Sequence, residues 1–201
     1  MGSQWGRDGA YSRAIREGYR SRAAYKLIDI QERYHLIRGS DNVVDLGAAP
    51  GSWLQVVREI TEGLVLGIDL SPIAHLEGVR TISADFTDGT LPGEVGSLLG
   101  TVNVVLSDAA PKLSGHRSYD QARSIALGEE ALAFSCGVLK PGGNFLVKSF
   151  QGEDFNLLLE RVRDHFLSVR VYRTRTTRKG SSEVYIIAKH FVSMHETEGS
   201  V

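Results

Sequence analysis

Three carboxylates and one lysine in this 201-residue chain stand where strand-like runs end: Asp69 after 64–68, Asp85 after Val79–Ser83, Asp108 after 101–106, and Lys148 after 144–147. A carboxylate at the carboxyl edge of an open sheet can accept hydrogen bonds from ribose hydroxyls or from the exocyclic amine of a base. Lysine is almost never buried without a partner, so one that closes an apolar run calls for a reason. Ahead of these groups, Val43-Val44-Asp45-Leu46 breaks into Gly47-Ala48-Ala49-Pro50-Gly51 and restarts at Ser52-Trp53, with Leu54, Val56, Val57 and Ile60 at helical spacing. Small residues let a chain turn tightly and let a ligand touch backbone, and the following helix would open toward the turn with free N–H groups. Strand, turn and helix, with Asp69 twenty-two residues after Gly47, read as a nucleoside pocket. The dinucleotide pattern G-x-G-x-x-G is absent, which favours a cofactor without a pyrophosphate. The plainer readings are an ordinary strand–turn–helix with a solvated Asp69 and, at Asp85, a carboxylate that caps the next turn.

Holding those groups on one edge requires a sheet with helical crossovers. Apolar patterning predicts strands over about 42–46, 64–68, 79–83, 101–106, 144–147, 168–172 and 184–188. Helices are predicted over 21–37, 52–60, 120–139 and 154–166, with 91–99 a short helix or an irregular connection. Lys140-Pro141-Gly142-Gly143 stops the longest helix, Gly39 and Ser40 close the one over 21–37, and 112–119 reads as a mobile loop over the site. From His190 onward the polar mixture predicts a frayed tail.

A net charge of -1 excludes a polycation built for indiscriminate nucleic-acid binding, so basic surface must be local. Residues 1–26 supply it: Arg7, Arg13, Arg16, Arg20, Arg22 and Lys26 against Asp8 and Glu17, interleaved with Tyr11, Tyr19 and Tyr25. Arginines fork onto phosphates and tyrosines stack on unpaired bases, which suits an RNA-facing arm that orders on contact; a solvated arm of mixed charge is the alternative. Arg170, Arg173, Arg175, Arg178 and Lys179 run to Gly180 without an acid, as a phosphate-binding loop or a solvated turn would. The lone Cys136 excludes an internal disulfide and suits a reducing cytoplasm. The six histidines are scattered and no CxxC accompanies them, so no metal is expected. No apolar run approaches a membrane span of about 18 residues, and the expected protein is a cytoplasmic monomer.

Taken together, Ser21-Arg22-Ala23-Ala24-Tyr25-Lys26, Asp45 through Trp53, Ser107-Asp108-Ala109-Ala110-Pro111, Lys148 and Glu183 resemble the FtsJ/RrmJ ribose 2′-O-methyltransferases, which use S-adenosylmethionine. The resemblance covers nearly the whole chain. It implies a Rossmann-like α/β fold: a seven-stranded mixed sheet in the order 3-2-1-4-5-7-6, strand 7 antiparallel, with helices on both faces. It implies one methyltransferase domain over 1–191 with a basic arm over about 1–20, and a disordered tail over 192–201. Motif by motif it assigns a catalytic tetrad to Lys26, Asp108, Lys148 and Glu183, and S-adenosyl-L-methionine contacts to Gly47, Gly51, Ser52, Trp53, Asp69, Asp85 and Asp108. In that reading Asp108 and Glu183 hold Lys148, the group at the attacking hydroxyl, while Lys26 steers the ribose. RNA contacts would fall to Arg13, Arg16, Arg20 and Arg22 on one side of the catalytic edge and to Arg173, Arg175, Arg178 and Lys179 on the other. The substrate implied is a uridine of large-subunit ribosomal RNA, free or within the subunit. A transfer RNA anticodon-loop enzyme and a non-catalytic RNA-binding relative are the alternatives, and a nicotinamide dehydrogenase fits the glycine turn less well.

Overall fold

Strands buried on both faces alternate their side chains between two apolar layers, and this alternation builds the molecule. The computed structural model describes residues 9–111, 114–178 and 180–192. In chain order they form α1 (Gly9–Arg16), α2 (Ala24–Tyr34), β1 (Val43–Leu46), α3 (Ser52–Ile60), β2 (Val65–Asp69), β3 (Val79–Ser83), α4 (Leu91–Leu99), β4 (Val102–Ser107), α5 (Arg117–Val138), β5 (Leu139–Phe150), α6 (Phe155–His165), β6 (Phe166–Tyr172) and β7 (Glu183–Phe191). The sheet order is β3-β2-β1-β4-β5-β7-β6. Strands β3, β2, β1, β4 and β5 run parallel to one another, and β7 runs antiparallel to both β5 and β6. This is the sheet that the resemblance implies.

Val44, Leu46, Val105, Phe145, Val147 and Ile186 pack with α4, α5 and α6 on one face. Their neighbours Val43, Val104, Leu106, Leu146, Tyr185 and Ile187 pack with α2 and α3 on the other. Because side chains repeat every second residue along a strand, Asp45, Asp108, Lys148 and Glu183 share the parity of the α2/α3 face. Helix α2 lies on that same face, which is why its Lys26 can join them.

Five expectations need correction. The basic arm is helical over Gly9–Arg16 rather than waiting for a partner, with Ala14 fully buried. Helix α2 ends at Tyr34 rather than running to residue 37, because His35 takes a left-handed conformation (φ 48°) and its N–H bonds back to Gln31. Strand β5 extends to Phe150, so Lys148 lies within it, paired with Tyr185 of β7, and does not end it. Strand β7 runs through His190 to Phe191, whose buried ring packs 5.3 Å from Phe166, so the expected fraying does not begin there. The loop over 112–119 is shorter than expected: α5 starts at Arg117, and the Asp120 carboxylate accepts from the N–H groups of Ser114 (2.8 Å) and Gly115 (3.2 Å). Residues 193–201, most of the expected tail, lie outside the described residues. Among the described residues, no helix is long and apolar enough to cross a membrane.

Candidate active site

The glycine turn is held from three sides. The N–H groups of Gly47 and Ala48 donate to the Ile68 carbonyl at 2.8 and 3.2 Å, tying the end of β1 to β2. Gly47 has φ 71°, and a Cβ there would come within 2.8 Å of the Ala109 Cβ after β4, so glycine is required by the close approach of two strand ends. Asp69 accepts from the Ala49 N–H at 2.9 Å through Oδ2 and from the Ser71 N–H at 2.7 Å through Oδ1. Asp85 is exposed, and its Oδ1 accepts from the backbone and hydroxyl of Thr87 at 3.0 and 2.8 Å, as in the turn-capping alternative.

The N-terminal segment closes the third side. Arg20 donates from Nη1 to the Pro50 carbonyl (2.9 Å) and from Nη2 to the His75 carbonyl (2.8 Å), and its own N–H reaches Gln55. Its guanidinium fills the space beside Gly51, where a Cβ would lie 2.5 Å from Nη1. Arg20 is thus a strap across the turn, its guanidinium bonded to two backbone carbonyls. Ser52 and Ser21 share a hydroxyl hydrogen bond of 2.7 Å. The Trp53 indole is 3% exposed and donates to the Ala23 carbonyl at 2.9 Å. These two side chains anchor the residues just before Lys26 to α3, so any ligand would meet their backbone or their neighbours more readily than the indole.

Asp45 is the exception on this edge. It is 1% exposed, its Oδ2 has no partner, and it borders a cavity of about 20 Å³ shared with Gly47, Ser52, Trp53 and Asp108. Burial, then the charges of Asp108 and Asp69, push its carboxyl well above the usual carboxylate range. A buried acid with no cation beside it among the described residues is the kind of group a positively charged ligand would satisfy.

Beyond the turn, the four residues of the expected tetrad come together as two ion pairs. Lys148 Nζ lies 3.1 Å from Asp108 Oδ1 and also donates to the Asp108 carbonyl, with the lysine 8% exposed. Lys26 Nζ lies 2.7 Å from Glu183 Oε1. Glu183 therefore pairs with Lys26, where the sequence reading had it hold Lys148; β7 register sets Glu183 opposite Phe150 and puts Tyr185 opposite Lys148. Tyr185 ties the pairs together. Its hydroxyl donates to Asp108 Oδ1 at 2.7 Å, and Lys26 Nζ sits 5.7 Å from its ring centre. Burial, followed by the charges of Asp108 and Glu183, pushes its phenol far above the usual range, so it remains a donor. Sequence reasoning missed Tyr185, although Glu183-x-Tyr185 gave the signal: two residues along a strand share a face.

The basic segments expected on opposite sides of the edge meet in one place. Arg13 and Arg175 line the same cleft of about 470 Å³ with Tyr25, Ile28, Asp29, Glu32 and Thr176. Arg13 pairs with Glu17 at 2.8 Å and lies 5.0 Å from the Tyr25 ring centre. Tyr25 donates to Glu17, and Tyr19 donates to Glu59, so neither tyrosine hydroxyl points free. Arg175 pairs with Asp29 (2.6 Å) and Glu32 (3.1 Å). Arg173 donates to the Arg178 carbonyl; Arg16, Arg173 and Arg178 are exposed and Arg22 is half-buried. Lys179 lies outside the described residues.

Comparison with known proteins completes the picture. The chain is 63% identical over 191 residues to a Methanoregula boonei protein named ribosomal RNA large subunit methyltransferase E, covering 95% of this chain and 99% of that one. It is 57% identical over 202 residues to the Methanosphaerula palustris protein of the same name, spanning both chains in full. The fold matches a crystal structure from Plasmodium falciparum, described as a ribosomal RNA methyltransferase, with a TM-score of 0.78 and 27% identity over 87% of this chain and all of that one. The FtsJ-like methyltransferase family pattern matches residues 19–191, and the chain belongs to that family.

Proposed function

We propose that this protein transfers a methyl group from S-adenosylmethionine to a ribose 2′-hydroxyl of large-subunit ribosomal RNA. The observation that carries the reading is the pair of lysine–carboxylate contacts, Lys148–Asp108 and Lys26–Glu183, beside a glycine turn at the carboxyl edge of the sheet. The relatives' names supply the substrate class.

The residues present suit the cofactor. Its sulfonium and ammonium are cationic, and the edge offers Asp45 with an unpartnered buried oxygen, together with Asp69, Asp85 and Asp108. Asp69, Asp85, Asp108 and the backbone of Gly47, Gly51, Ser52 and Trp53 would hold it. When bound, S-adenosylmethionine supplies a methyl group on a positively charged sulfur. The acceptor 2′-hydroxyl would take the methyl group in place of its proton, the cofactor's sulfur keeping the electrons of the broken carbon–sulfur bond. Lys148, fixed by the side chain and carbonyl of Asp108, is the group at that oxygen, either taking the proton or standing as the cation that stabilises a forming alkoxide. Tyr185 keeps Asp108 oriented by donating to it. Lys26, held by Glu183, presents a second positive charge from the helix side to steer the ribose.

Mapping ribose methylation across total RNA with and without the gene tests the substrate. Loss of one 2′-O-methyl uridine in large-subunit ribosomal RNA is the expected result. Loss confined to a transfer RNA anticodon loop would replace the ribosomal assignment, and unchanged ribose methylation would overturn the proposal.

A further inference from the structure

The carboxylate of Asp29 has no part in the scheme above, yet it is 5% exposed and three donors converge on it. Arg175 donates twice, from Nε to Oδ1 at 2.6 Å and from its backbone N–H to Oδ2 at 2.9 Å. The Tyr172 hydroxyl donates as well, at 3.1 Å to Oδ2. Arg175 is 72% exposed, so it could have stayed in solvent; instead it turns inward to Asp29 and extends Nη2 to Glu32 on the next turn of α2. Helix α2 therefore grips the first residues after β6. Asp29 also follows Lys26 by three positions, which puts the two side chains on adjacent turns of one helix face.

The segment gripped in this way leads back to the site. Thr174 is 3% exposed and its hydroxyl shares a hydrogen bond with the Thr177 hydroxyl at 2.9 Å, while the Thr177 N–H closes a turn onto the Thr174 carbonyl at 3.1 Å. The Thr177 hydroxyl donates to Glu183 Oε1 at 3.3 Å, the same oxygen that pairs with Lys26 at 2.7 Å. A closed circuit results: Asp29 to Arg175, through Thr174 and Thr177 to Glu183, across to Lys26, and back along α2. We infer that Asp29 is a positioning residue, one that locks the 173–178 turn onto α2 and thereby sets Glu183 beside Lys26. A carboxylate oxygen held by one short contact can swing away, whereas Oε1 of Glu183, engaged by both Lys26 and Thr177, presents a single geometry to the substrate side of the tetrad.

The inference rests on the proposed methyl transfer, and the test separates the two. Amide hydrogen exchange is followed across 174–178 in the intact protein and in Asp29→Asn, alongside single-turnover methyl transfer at saturating RNA and S-adenosylmethionine. Faster exchange at Arg175 and Thr177 is expected in Asp29→Asn, with transfer slowed roughly 10- to 100-fold, the scale of a small misplacement of reacting groups, and cofactor affinity unchanged. In a Glu183→Gln background Asp29→Asn should slow transfer no further, since its effect travels through Glu183. Arg175→Ala, which alters only an exposed side chain, should open the same amides without disturbing the fold. Unchanged exchange in both variants overturns the inference, as does an undiminished loss in the Glu183→Gln background, or opened amides with parental transfer. Were the parent itself to leave the ribose unmethylated, the functional reading would fall, and the exchange data alone would still decide whether Asp29 holds the turn.

Discussion

The two lysine pairs of the site are alike in chemistry and unlike in construction. Lys148 lies within β5 and Asp108 directly follows Ser107, the last residue of β4, whose pairing with Val147 of β5 sets the two backbones side by side, and the lysine also grips the Asp108 carbonyl. Lys26 and Glu183 come from a helix and from the first residue of β7, elements joined by packing, by the 173–178 turn and by the bond from Lys189 to the Tyr34 carbonyl. The first pair is part of the sheet. The second depends on how α2 is docked, and that docking uses Trp53 to Ala23, Ser21 to Ser52, and Arg20 across the glycine turn. One pair is built into the sheet and the other is assembled from a helix, a strand and the turn that locks them, and that is the division this construction makes.

Substitution should expose that division. Lys148→Ala has the largest expected effect, a loss of transfer of roughly 10²- to 10⁴-fold with cofactor and RNA still bound, read by single-turnover kinetics and separate binding titrations. Lys148→Arg sharpens it: guanidinium does not give up its proton in a protein, so no rescue points to proton transfer and partial rescue to alkoxide stabilisation. Near-parental transfer in Lys148→Ala would remove the residue from the mechanism. Lys26→Ala should cost less, on the order of 10-fold to 100-fold, and arginine should rescue it because the role is charge and position. Equal losses at the two lysines, with no rescue at either, would erase the proposed difference between them.

A smaller effect concerns Asp45. Its carboxyl is raised in the folded protein, so between the usual carboxylate pKa and the raised value the folded state binds more protons than the unfolded one. Stability contributed by the protonated form is present at low pH and falls as pH rises through that window. Thermal unfolding between pH 4 and pH 8 should therefore show a decline that Asp45→Asn flattens, and saturating S-adenosylmethionine should flatten it in the parent by supplying a cation. An identical pH slope in parent and Asp45→Asn would contradict the account of this edge.

How far each region could be read from sequence follows from the same contrast. The glycine turn is local: eleven consecutive residues carry strand, break and helix, and β1, β2 and α3 lie close to their predicted positions. Lys148 was legible as an oddity because a charge in an apolar run violates burial. The pairing of Glu183 was not, because it turns on the register of β5 against β7 and on a helix more than 150 residues earlier in the chain. Arginine patterning left the partners open for a related reason. Charge in a sequence says that a partner is needed without saying which: Arg20 found backbone carbonyls and Arg175 found Asp29, and neither choice leaves a mark on its neighbours. His35 and Phe191 moved element ends through a left-handed residue and a ring buried at a distance, features that periodicity does not encode.

The most direct test of the central claim is to ask which atom receives the methyl group. Purified protein, labelled S-adenosylmethionine and large-subunit RNA are allowed one turnover, and the product is digested to nucleosides. Label on a ribose 2′-oxygen, abolished when the target nucleotide carries 2′-deoxyribose, is the predicted result. Label on a base, or transfer that persists on the 2′-deoxy substrate at that nucleotide, would contradict it.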